Sequence, residues 1–149
     1  MLAADPIGWV RCEQRRYAAG HTADVDDALV TALGPVLADV RRSDIDVSFV
    51  LAEPPTEGAG FVRGILRADD GSETGIQIDV DQGAAEQVAA LANVVQDIVV
   101  EDFLLAPWPE CHLHRGSHPL LAAVDGQGAV WTCPINEAVI APIGDLDGQ

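Results

Sequence analysis

The fold of this chain is decided by residues 61–80, which read FVRGILRADDGSETGIQIDV. A strand over Phe61–Ala68 places both of its arginines on one face, and from Ile76 to Val80 every second residue is apolar. Asp69–Ser72 between them reads DDGS, the composition of a hairpin turn. The stretch therefore predicts two antiparallel strands that bury one face against a core.

Two elements precede this hairpin. Residues 44–52 alternate between polar and apolar side chains and predict another strand, whereas the proline- and glycine-rich residues 54–60 predict a loop. Earlier still, apolar residues recur at spacings of three and four from Val25 to Val40, as in an amphipathic helix. Gly34-Pro35 is expected to kink this helix or split it in two. Residues 1–20 show no period and are interpreted as a lead-in.

A second helix is the clearest prediction after the hairpin. It is expected to begin after a cap at Asp81 and to end near Leu104. Its apolar residues form one stripe at helical spacing, namely Val88, Leu91, Val95 and Ile98. Residues 120–124, 129–133 and 138–143 then predict three short strands.

The resulting order is α-β-β-β-α followed by a short three-stranded β unit, which indicates an α+β fold with an antiparallel sheet. We expect an α+β domain over residues 1–106, including the lead-in. Residues 107–149 are expected to form a small zinc-ribbon-like tail packed on that domain. The total of 149 residues fits this size.

The charge of the chain limits its partners. Acidic residues outnumber basic ones by 24 to 8, and residues 68–149 contain one arginine, Arg115, against fourteen acids. Such a surface repels phosphates, so direct binding of nucleic acid or of an anionic membrane is not expected. A basic protein partner fits the charge better. Because no apolar run has the length of a membrane span and the N-terminus lacks signal-peptide features, we expect a cytoplasmic protein.

The residues that can carry chemistry lie in the tail. Cys111 and His114 are separated by two residues, and Cys133 follows after eighteen more, which is close to the spacing of a zinc ribbon. The fourth ribbon position is occupied by Asn136, whose neutral amide is a poor zinc ligand. His118 can take its place. The sequence thus predicts one structural zinc ion held by Cys111, His114, His118 and Cys133, with His112 pointing elsewhere.

Two other interpretations of the same residues stay open. Cys111 and Cys133 can be reduced cysteines that line a core under Trp108 and Trp131, or they can form a disulfide or redox pair. A catalytic dyad of Cys111 with a histidine is less favoured, because an acidic surface is expected to raise the thiol pKa.

The segment WPECHLH…HPL…WTCP over residues 108–134 resembles the tail of a group of small uncharacterised actinobacterial proteins, which ends in a pattern like Ile143-Gly-Asp-Leu146. The resemblance covers about 40 residues and implies kinship without an assigned activity. Separately, the element order over residues 22–133 resembles the small acidic chaperones of bacterial secretion systems. That resemblance implies chaperone-like binding of a protein and a homodimer.

We therefore predict a non-enzymatic, acidic protein-binding module, an adaptor or chaperone-like protein, with a structural Cys/His clip. The alternative is an acidic inhibitor or immunity protein for a basic nuclease-type partner, presenting acids around the second helix, from Asp79 to Asp102. A hydrolase or thiol enzyme that uses Cys111 and the histidines is the least favoured prediction.

Overall fold

The computed structural model describes residues 23–126 and 128–147, with side chains from Asp27 onward. The predicted lead-in over residues 1–20 lies outside the described ranges. The elements follow one another in this order: α1 (Ala23–Arg42), β1 (Phe49–Leu51), β2 (Thr56–Gly58), β3 (Phe61–Ala68), β4 (Glu73–Asp79), α2 (Ala84–Ile98), a π-helical segment (Val99–Leu104), β5 (Leu121–Asp125), β6 (Gly128–Thr132) and β7 (Val139–Pro142). The predicted α+β class and the order of helices and strands are confirmed.

Strand β3 is the centre of the first sheet. It pairs with β4 along its whole length, while β1 and β2 pair with its C-terminal and N-terminal halves. Each of the other three strands is antiparallel to β3, and one face of this sheet packs against the helices. Gly64 of β3 lies there, and a Cβ at this position would come within 2.8 Å of the Leu29 side chain of α1. A glycine at this point therefore lets α1 approach the sheet closely.

Two predictions about this sheet were wrong. The strand predicted over residues 44–52 is confined to β1, because β3 ends at Ala68 and the register stops at the pair Phe49–Ala68. The loop predicted over residues 54–60 contains β2. Two consecutive prolines before Thr56 lack the N–H that a ladder needs, and the short strand resumes the pairing directly after them.

The helices also differ from expectation in detail. Helix α1 continues through Pro35 without a break, so the predicted split is wrong. Helix α2 begins after Gly83 rather than after a cap at Asp81, because the Asp81 N–H is bound by the Asp79 side chain in the preceding turn. Neither helix in the described ranges is long and apolar enough to cross a bilayer.

The tail forms a second antiparallel sheet in the order β5-β6-β7. Its bounds lie within about one residue of the predicted strands. Trp131 of β6 is fully buried and lies edge-to-face against Trp108, with ring centroids 6.0 Å apart. The two rings belong to the same hydrophobic core as α1 and α2, so the tail shares the core of the larger unit.

We expect Gly144→Ala to destabilise the protein by about 1–3 kcal/mol. Gly144 follows β7 with φ +105°, and a Cβ there would lie 2.9 Å from the Cβ of Pro35. Gly75→Ala is the matched control, because a Cβ at Gly75 meets nothing within 4 Å. Urea unfolding of both variants measures the difference, and equal midpoints would contradict the close approach of the tail to α1.

Candidate metal centre

The first half of the site is the loop from Cys111 to His118. Its base is closed by paired backbone groups, since the Leu120 N–H donates to the Pro109 carbonyl and the Cys111 N–H to the His118 carbonyl. Inside the loop, the His114 N–H donates back to the Cys111 carbonyl at 3.2 Å. This turn places the side chains of Cys111, His114 and His118 on one side of a short, closed loop.

The second half is the turn that follows β6. The Cys133 N–H donates to the Ala138 carbonyl, and the Glu137 N–H donates to the Cys133 carbonyl. Asn136 stands where a zinc ribbon has its fourth ligand, but its Oδ1 accepts the Ala138 N–H at 3.1 Å. Asn136 thus stabilises the turn.

These two turns bring four candidate ligand atoms together. His114 Nδ1 lies 3.6 Å from Cys111 Sγ, 3.4 Å from Cys133 Sγ and 3.3 Å from His118 Nε2. His118 Nε2 lies 3.9 Å from Cys133 Sγ, and the four ligand atoms all lie within 4.8 Å of one another. The predicted set therefore forms one cluster that can hold a metal ion.

The orientation of His118 is set by its neighbour. Its Nδ1 lies 2.8 Å from the Pro119 carbonyl oxygen, which accepts only from a protonated nitrogen. In a neutral ring this leaves the lone pair on Nε2, the nitrogen that faces the cluster. Hydrogen bonds of this kind orient histidines that bind metals.

The electrostatics of Cys133 differ from the expectation for an acidic protein. Burial raises the pKa of this thiol, but the backbone N–H groups of Asn136 and Ile135 donate to its sulfur and lower the pKa. A hydrogen bond with Cys111 adds to the effect, and the resulting pKa lies below its ordinary value. At Cys133 the donors to the sulfur therefore outweigh the effect of burial on the thiol pKa, and the pKa is lowered, not raised as expected for a thiol in an acidic protein.

The cluster is closed from solvent on its sulfur side. Cys111 and Cys133 are both 0% exposed, and the two histidines are half-buried. The neighbouring His112 is exposed, as expected for a residue outside the site. Cys12 lies outside the described residues.

Sequence reasoning missed the polar groups that fasten this site to the helices. In the described ranges the buried polar residues are Asp39, Ser43 and Gln96. Gln96 of α2 donates to the Trp108 and Leu120 carbonyls, on either side of the loop. Ser43 accepts the indole N–H of Trp108 at 2.9 Å.

Asp39 makes the most contacts of the three. Its carboxylate accepts the Trp131 indole N–H at 2.8 Å and the backbone N–H groups of Gly144 and Leu146 at 2.7 and 2.9 Å. Arg42 lies 3.8 Å away. Residue type alone does not distinguish this aspartate from the exposed ones. Its place on the apolar side of α1, between Val36 and Val40, was an available signal.

No protein-family model, curated protein or solved structure matches this chain. The class of the protein is therefore defined by its own fold and site. It is an α+β protein with a buried Cys2His2 cluster that can hold a metal ion.

Proposed function

We propose that this chain is a non-enzymatic protein-binding module in which one structural zinc ion, bound by Cys111, His114, His118 and Cys133, holds the tail sheet in place. The observation that carries the zinc proposal is the convergence of two thiols and two imidazoles within 4.8 Å. Zinc prefers these donors and binds four of them in a tetrahedron.

The distances fit that geometry. Bonds of about 2.3 Å to sulfur and 2.05 Å to nitrogen place tetrahedral ligand atoms about 3.3 Å apart for two nitrogens and about 3.6 Å for sulfur and nitrogen. The cluster has 3.3 Å between His114 Nδ1 and His118 Nε2. Three of its four sulfur–nitrogen distances are 3.4, 3.6 and 3.9 Å. These four distances lie within a few tenths of an ångström of the values for a bound zinc ion.

Four protein ligands make the site structural. A catalytic zinc keeps one position open for water or substrate, whereas a closed Cys2His2 set occupies all four. The backbone N–H groups that donate to Cys133 favour the thiolate that zinc requires. Both sulfur atoms belong to buried residues, which also favours a structural role over thiol chemistry.

Elemental analysis tests this proposal directly. Protein purified without a metal-affinity tag is expected to contain one zinc per chain. Iodoacetamide is expected to label Cys111 and Cys133 only after a chelator has removed the metal. A well-folded sample without zinc would contradict the proposal. Rapid labelling of Cys111 or Cys133 before chelation would also contradict it.

Two substitutions decide which residue is the fourth ligand. Loss of the hydrogen-bond partner of a metal ligand weakens metal binding about 10–100-fold. His118→Gln removes a ligand itself and is expected to weaken zinc binding by more than this. Asn136→Ala is the matched control, because the Asn136 side chain binds a backbone N–H. We expect this variant to bind zinc no more than about tenfold more weakly than the unmodified chain. Competition with a zinc-binding dye measures both affinities. The reverse order of effects would assign the ligand to Asn136.

The protein-binding part of the proposal is supported by exposed acids. Asp81, Glu86, Asp97 and Glu101 are all exposed. Glu86 and Asp97 are eleven residues apart, about three helical turns, and so lie on the same side of α2. A basic protein would be attracted to this side, and its binding should weaken as salt is added.

The same observation supports the alternative function, an inhibitor that offers carboxylates to a basic nuclease-type partner. In that case the double variant Asp97→Asn with Glu101→Gln should lose inhibition of the nuclease. Retained inhibition would exclude this face as the inhibitory surface.

A further inference from the structure

The outer edge of β4 is a row of backbone groups with no other described strand beside it. In the described ranges β4 pairs only with β3. The Ala68 N–H donates to the Ser72 carbonyl, and the Val80 N–H donates to the Gly60 carbonyl. Because bonded pairs alternate in an antiparallel ladder, residues 74, 76 and 78 bond β3, and the N–H and C=O of Glu73, Gly75 and Gln77 point away from it.

Gly75 lies in the middle of this edge, and the fold gives no reason for a glycine there. A Cβ would meet nothing within 4 Å, and its φ lies outside the left-handed region. Glycine inside a strand reduces stability and often marks a place where another backbone approaches closely. The absence of a side chain leaves the N–H and C=O of Gly75 open to such an approach.

The charges around the edge select the occupant. The hairpin turn at one end of β4 contains Asp69 and Asp70, and both carboxylates are exposed. At the other end Asp79 is followed by the exposed Asp81. A second copy paired antiparallel would bring the acidic turn of one chain next to the acidic end of the other, and like charges would oppose the pairing. An extended segment with basic residues would be attracted at both ends.

We propose that β4 accepts an extended, basic peptide segment of a partner protein as an additional antiparallel strand. Backbone bonds to Glu73, Gly75 and Gln77 would hold the segment, and alternate lysine or arginine side chains would lie next to the acids. This inference rests on the protein-binding part of the proposed function and is independent of the zinc site.

The test uses the full chain and a defined probe, the acetylated and amidated peptide Lys-Val-Lys-Tyr-Lys-Val-Lys. Hydrogen exchange followed by NMR is expected to show fast amides at Gly75 and Gln77 in the free protein and protected amides once peptide is added. An N-methylated peptide of the same charge cannot form the ladder. Its affinity is expected to be at least about tenfold lower. The corresponding glutamate peptide is expected not to bind.

Gly75→Pro removes one outward N–H without touching the bonds to β3, and proline is accepted on the open side of an edge strand. It should weaken peptide binding about tenfold, whereas Gly75→Ala, which keeps the N–H and adds only a methyl group, should weaken it less. Neutralising one acid at each end of the edge as Asp69→Asn with Asp81→Asn should weaken binding more than Asp44→Asn with Asp46→Asn, an equal change of net charge at exposed residues elsewhere. If Gly75→Pro does not fold, the amide protection in the unmodified chain decides.

Three results would overturn the proposal. The first is peptide binding that leaves the Gly75 and Gln77 amides unprotected. The second is protection of these amides without peptide, which would mean that this chain or a second copy already occupies the edge. The third is a protein partner whose binding is unchanged in Gly75→Pro; that result would reject the edge while leaving the protein-binding function intact.

Discussion

Replacing Asp39 by alanine is expected to destabilise the protein by about 3–5 kcal/mol. The buried carboxylate accepts the Trp131 indole N–H and the backbone N–H groups of Gly144 and Leu146. Without it, these donors lose their partner where Trp131 and Leu146 are both buried, and each unsatisfied buried donor is costly. Urea unfolding followed by circular dichroism measures the loss.

Asp44→Ala is the control for this prediction. Asp44 lies just after the same helix and is exposed, so its removal should change the unfolding free energy by no more than about 0.5 kcal/mol. A loss below about 1 kcal/mol in Asp39→Ala would show that the tail is held mainly by apolar packing. In that case the three hydrogen bonds would be a consequence of the packing.

The second large effect is expected from Cys133→Ser. Loss of one zinc ligand should release the metal and lower the unfolding free energy by at least about 3 kcal/mol, since the binding of a structural zinc contributes directly to folding. Trp131 lies two residues before Cys133 and is fully buried. Its fluorescence should therefore shift to longer wavelength when the turn opens.

A chelator separates the effect of metal from that of packing. It should destabilise the unmodified chain by a similar amount and have no further effect on Cys133→Ser. Cys12→Ser is the matched control, the same chemical change at a cysteine that is not one of the four proposed ligands, and it should keep its zinc. Equal sensitivity of Cys133→Ser and the unmodified chain to chelation would show that Cys133 is no ligand.

The two predictions meet in the same part of the molecule. Each cluster cysteine is preceded within three residues by a tryptophan. The Trp131 indole N–H donates to Asp39 of α1, and the Trp108 indole N–H donates to Ser43, the residue directly after α1. One buried tryptophan ring thus connects each half of the cluster to the end of the first helix. We expect the combined variant of Asp39→Ala and Cys133→Ser to be less destabilised than additivity predicts, because both changes release the same tail.

The sequence by itself determined the elements that depend on local pattern. Alternation over residues 61–80 specified the hairpin, since successive strand residues point to opposite faces. The helical period identified both helices, and the tail strands were located to within about one residue. The four donors were identified by residue type and spacing, because a short loop keeps Cys111, His114 and His118 close wherever the chain folds.

The tertiary structure decided what depends on distant partners. Residues 44–48 have the pattern of a strand, but the ladder ends at the Phe49–Ala68 pair. One further bond, from the Asp69 N–H to the Ser48 carbonyl, does not extend the strand. The role of Asp39 depends on groups more than ninety residues away that donate to its carboxylate. The approach of Cys133 to His114 likewise required the packing of the tail sheet. Local preferences act between near neighbours, whereas burial and hydrogen bonding depend on which remote segments the core brings together.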